Sequence, residues 1–64
     1  MNTKTNIVNQ IRDLLGGEGS LELAEKMFDA MRADDRIYYA GDYEGLVIRE
    51  DVDLIAVAVE VGNA

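Results

Sequence analysis

The chain has no cysteine and no histidine, and Ser20 is its only serine. These absences remove most side-chain chemistry at once. Without a thiol or an imidazole there is no cysteine nucleophile, no histidine general base, no catalytic triad and no structural zinc site. No disulfide can staple the fold either, which agrees with a reducing compartment. Met1 is not followed by the basic and apolar regions of a secretion signal, and no apolar run approaches 18 residues. No membrane span is therefore expected.

Paired carboxylates are the remaining route to acid–base catalysis. Asp34 and Asp35 are adjacent and diverge, however, and 64 residues hardly enclose a cleft that would shift their pKa values. A hard cation would favour a D-x-D-x-D-G loop closed by a glutamate at its twelfth position. That pattern is absent, and Asp51-x-Asp53 runs straight into an apolar segment. The expectation is a protein that is not an enzyme and holds no cofactor and no metal.

Acid is what the chain has in quantity: 13 carboxylates against six Lys and Arg, for a net charge of −7. The charge is unevenly placed. Residues 1–33 carry a net −1 and residues 34–64 a net −6. Seven carboxylates fall in Ala33–Asp53, opposed only by Arg36 and Arg49. Like charges this close gain a small domain nothing in folding free energy. They serve solubility, and they repel nucleic acid and anionic lipid while attracting proteins whose own task is to hold a phosphate backbone. Neither direct nucleic-acid binding nor membrane binding is expected.

The length allows one small domain over residues 1–64. Ordering it costs on the order of 100 kcal/mol, and apolar burial returns little more. Good helix packing, a homodimer or a partner would supply the difference, and monomer and homodimer stand as equal expectations.

Ile7, Val8, Ile11, Leu14 and Leu15 recur at three- and four-residue spacing and predict a first helix, capped by Thr5 or Asn6 and ended by Gly16. The glycine-rich Gly16–Ser20 lacks the spacing and cation of a phosphate-binding loop and reads as a helix-to-helix turn. Ser20 then caps a second helix to about Ala33. Leu21, Ala24, Phe28 and Met31 form one apolar line on it, with Leu23, Met27 and Ala30 beside it. Ile37–Ala40 and Leu46–Arg49 read as a hairpin around Gly41–Gly45. Ile37 and Tyr39 face one way, Tyr38 and Ala40 the other.

The stretch Asp51–Val61 reads two ways. VAVAVEV alternates like a strand, whereas Asp51 or Asp53 as a cap, with Leu54, Ile55, Ala58, Val59 and Val61 on one side, makes a third helix. The expected fold is α+β: two N-terminal helices packed on a β-hairpin, with the C-terminal segment a third helix or a third strand. Two helices and a wing outline a winged helix, but the recognition helix would turn Glu22, Glu25 and Asp29 toward phosphate. The outline with inverted charge suits an imitator of DNA.

The candidate partner-binding residues are Asp34, Asp35, Asp42, Tyr43, Glu44, Glu50, Asp51 and Asp53. Asp42-Tyr43-Glu44 at the tip combines an aromatic ring, which supplies buried area, with acids that pair with Lys or Arg. The alternative for Tyr43 is a ring folded back on the sheet. Carboxylates two residues apart on a strand stand roughly 6.6 Å apart, within about a factor of two of the 3.4 Å axial charge spacing of one DNA strand.

Two blocks, Arg32-Ala33-Asp34-Asp35-Arg36-Ile37-Tyr38 and Ile48-Arg49-Glu50-Asp51-Val52-Asp53-Leu54, resemble a family of small phage anti-CRISPR proteins directed at type I-E systems. The likeness continues through Ala56-Val57-Ala58, Asn9-Gln10-Ile11 and Ala24-Glu25, and covers most of the chain outside two loops. The chain departs from the pattern around Gly16–Leu23 and is shorter at Gly41–Gly45. The resemblance implies an inhibitor that acts in the cytoplasm of the bacterial host on a Cas protein or a Cascade-type complex. The leading expectation is a DNA mimic whose acidic hairpin blocks target recognition. Binding of a Cas subunit through an apolar face, which would block nuclease recruitment, is the second. A small dimeric adaptor or antitoxin-like module with no CRISPR role is the third.

Overall fold

The computed structural model describes residues 1–16 and 21–63. The rest of the glycine-rich link, with Ser20 as the expected cap, lies outside the described residues. The elements are α1 (Lys4–Leu14), α2 (Leu21–Ala33), β1 (Ile37–Tyr39), β2 (Leu46–Ile48) and α3 (Leu54–Gly62). This is the expected α+β arrangement, and the C-terminal segment is a helix. Among the described residues no helix is long and apolar enough to cross a membrane.

The first helix starts earlier than its apolar stripe suggests. Thr3, not Thr5 or Asn6, is the cap, because Thr3 and Asn6 satisfy one another. The Asn6 N–H donates to Thr3 Oγ1 (3.4 Å), and the Thr3 N–H donates to Asn6 Oδ1 (3.0 Å). This is the reciprocal capping box, with asparagine in the place of the usual glutamate. At the other end Gly16 takes the left-handed conformation, φ +83°, and closes the helix as expected.

α2 is the centre of the molecule, in contact with α1, α3 and β1. Its buried residues are Ala24, Met27, Phe28 and Met31, which meet Ile7, Val8 and Ile11 of α1, Ile37 of β1 and Val57 of α3 in one core. Burying a side chain of this size contributes about 1.5–3 kcal/mol. Lys4 lies over the Phe28 ring, 5.3 Å from its centroid, and pairs with Asp29 at 3.7 Å. Both charges are exposed, so the pair contributes little.

The strands pair antiparallel with Ile37 opposite Ile48, Tyr38 opposite Val47 and Tyr39 opposite Leu46. Ile37, Leu46 and Ile48 cover the helices. Tyr39 shares that face but sits beyond the core and is half exposed. Arg32 at the end of α2 donates to the Ile37 carbonyl at 3.1 Å and fixes where β1 leaves the helix.

In α3 the inward face differs from the expected one. Val57 is buried, with Leu54, Ala58 and Val61 half-buried beside it. Ile55 and Val59 point outward, 71 % and 57 % exposed. Seven apolar positions compete for one contact with α2, and a nine-residue helix has room for only one stripe against it.

A two-ended acidic surface

The candidate carboxylates form two groups, one at each end of the hairpin. The open end is built where α2 turns into β1. Asp35 takes a left-handed backbone conformation, φ +63°, which aspartate tolerates better than most side chains. The turn is pinned by Asp34, whose carboxylate accepts the Arg36 N–H (3.2 Å) and pairs with Arg36 Nε at 2.7 Å. Arg36 also reaches Glu60 of α3, Nη1 to Oε2 at 3.6 Å. The hydrogen bond from Arg36 holds Asp34 below the ordinary aspartate value, and Asp34 in turn raises Arg36.

Arg49 N–H donates to the Arg36 carbonyl at 2.8 Å, so the residues leaving β2 run beside those entering β1. Asp35, Glu50 and Asp51 therefore line one open groove with Tyr38 and Arg49. A second depression continues past Arg49, Asp51, Val52 and Asp53 onto Ala56 and Val57 of α3. Asp53 is used internally: its Oδ1 accepts the N–H groups of Ile55 (3.0 Å) and Ala56 (3.2 Å) and caps α3.

The tip lies beyond the other end of the three-residue β1. Gly41 and Gly45 both have positive φ, +102° and +75°, and bracket Asp42, Tyr43 and Glu44. Ala40 N–H donates to the Gly45 carbonyl and Gly45 N–H to the Gly41 carbonyl, each at 2.8 Å. The Tyr39 hydroxyl donates a short hydrogen bond to Asp42, which pushes the phenol above its usual value. Tyr43 does not fold back on the sheet. It is 92 % exposed.

The eight candidate residues thus divide by use. Asp34, Asp42 and Asp53 each hold a piece of the fold. The side chains of Asp35, Glu44, Glu50 and Asp51 make no hydrogen bond or ion pair among the described residues. No three acids among the described residues stand close enough to hold a metal ion. Spread carboxylates of this kind suit several separate Lys or Arg side chains, each at its own position.

Sequence reasoning missed three features of this surface. Arg49 makes no ion pair among the described residues and lies within the acidic groove. Asn2 pairs with the hairpin tip. Ile55 and Val59 form an exposed apolar step on the helix that follows Asp53. Only the last left a signal, in a terminal segment with more apolar positions than one helix face can bury.

No family model matches the chain, and no curated protein or solved structure matches it.

Proposed function

We propose that this protein is an anti-CRISPR inhibitor that binds the type I-E surveillance complex of a bacterial host and keeps target DNA from it. It acts by binding alone, in the host cytoplasm, with the acidic hairpin in the place of nucleic acid. The observation that carries the reading is the groove at the open end. Asp35, Glu50 and Asp51 are gathered there without a partner among the described residues, while neighbouring Asp34 and Asp53 are engaged by the fold. Unattached carboxylates on a small domain are a cost to folding that a cationic partner repays. The surveillance complex offers such surfaces, since it must read a short duplex motif and hold opened strands in a positive channel. The resemblance of the two seven-residue blocks supports the same partner, and both blocks flank this groove.

The test is a gel shift with purified type I-E complex and a target duplex. The wild-type chain prevents the shift, and the triple variant Asp35→Asn, Glu50→Gln, Asp51→Asn stays folded and loses about tenfold in affinity for each carboxylate removed. Inhibition by the wild type weakens steeply with salt. Full inhibition by the triple variant would sink the proposal.

A second reading has its own observation in the exposed Ile55 and Val59. There α3 docks on a Cas subunit and blocks nuclease recruitment, leaving target DNA bound. Replacing both by serine then abolishes inhibition while the carboxylate variant retains it.

A further inference from the structure

The hairpin tip is tied to the first residues of the chain more firmly than a five-residue turn requires. The Asn2 N–H donates to the Glu44 carbonyl at 2.8 Å, and the Asn2 carbonyl accepts the Leu46 N–H at 2.9 Å, a parallel bridge across Gly45. The approach dictates the residue at position 45. A Cβ there would lie 2.5 Å from the Asn2 carbonyl oxygen, 2.8 Å from its nitrogen and 2.9 Å from Met1 Cγ. Directly after Asn2, the Thr3–Asn6 capping box locks the chain into α1. The segment is therefore anchored on both sides, to the tip and to the helix.

What this construction holds in place is a tyrosine in water. Two hydrogen bonds within the turn, two from Asn2 and the Tyr39–Asp42 contact fix the backbone around a side chain that is 92 % exposed. A turn flanked by two glycines would otherwise sample many conformations.

We propose that Met1–Thr3 is a strap that keeps the tip in its partner-binding conformation, with Asn2 and Gly45 as positioning residues and Tyr43, between Asp42 and Glu44, as the element presented. The inference rests on the reading above, that the acidic hairpin meets a cationic protein surface. The strap orders the tip before binding, so the ordering entropy is not lost at the moment of contact. The occupied site on the partner is a pocket walled by Lys or Arg, where a guanidinium lies on the phenol ring and its neighbours pair with the two carboxylates.

The test compares three chains for binding to purified type I-E complex and for amide exchange at Leu46. Gly45→Ala places a methyl against Asn2 and releases the strap. A chain made by chemical synthesis with D-alanine at position 45 keeps the positive φ and sends its methyl the other way. The expected result is fast exchange at Leu46 and about tenfold weaker binding for Gly45→Ala, with both restored by D-alanine and helical circular dichroism unchanged throughout. Removing Met1 and Asn2 gives a loss of the same size. If the wild type binds and the strap-deleted chain binds equally well, this inference falls alone. If the wild type does not bind the complex, it falls together with the functional reading.

Discussion

The two ends of the hairpin carry charge of the same sign and are built in opposite ways. At the tip, two glycines at positive φ and a ring of backbone hydrogen bonds make the turn, and one carboxylate, Asp42, is drawn into it. At the open end a non-glycine residue, Asp35, takes the left-handed conformation, and side chains do the fastening: Asp34 to Arg36, Arg36 to Glu60, Asp53 to the start of α3. The tip is held by its backbone and the open end by its charges. Acid density in the sequence therefore overstates the surface on offer. In each group some carboxylates are structural and the others make no hydrogen bond or ion pair among the described residues, and local geometry decides which.

The sharpest way to break that division is to remove one acid of each kind. Asp53→Ala takes the cap from α3 and should cost about 1 kcal/mol, whereas Asp51→Ala, two residues earlier, should stay within about 0.5 kcal/mol of wild type. Urea denaturation of both variants measures the difference. Equal losses would mean that the internal and outward roles have been misassigned.

A smaller effect, of opposite sign, is expected at Asp35. The left-handed conformation costs a non-glycine residue about 1–2 kcal/mol, and glycine gives part of that back as chain entropy. Asp35→Gly should therefore stabilise the fold by about 0.5 kcal/mol and at the same time weaken the partner complex. Thermal denaturation and the gel shift on one sample would show stability and binding moving apart. A variant that improves both would place Asp35 outside the contact.

The smallest effect is the pH response of the fastening at the open end. Asp34 is held below the ordinary aspartate value of 3.8 by its hydrogen bond with Arg36. A carboxyl group depressed in the folded state contributes stability above its unfolded value and loses it as pH falls through the lower folded value. The wild type should therefore lose more of its urea midpoint below pH 3.8 than Asp34→Asn does, and the two curves should run parallel above pH 5. A steeper acid loss in the variant would contradict the assignment.

Much of the frame was legible because it depends on near neighbours in the chain. The stripes of α1 and α2, the glycine that ends α1, the two strands and the glycines around Asp42-Tyr43-Glu44 all follow from periodicity and turn chemistry. The start of α1 was misread because the polar pair Thr3 and Asn6 lies before the first apolar residue. The candidate site was legible as a list of acids but not as a surface. Asp34 and Asp35 are indistinguishable in sequence, and only the turn between α2 and β1 commits one to Arg36 and turns the other into the groove.

By itself the sequence determined the segregation of charge, the absence of nucleophile and imidazole chemistry, and the local elements, since each is a property of composition or of residues a few positions apart. Tertiary structure alone decided that the C-terminal helix turns Ile55 and Val59 outward, that Arg36 reaches Glu60, and that Asn2 closes on Gly45. Those outcomes depend on which surfaces far apart in the chain pack together to fill the single small core.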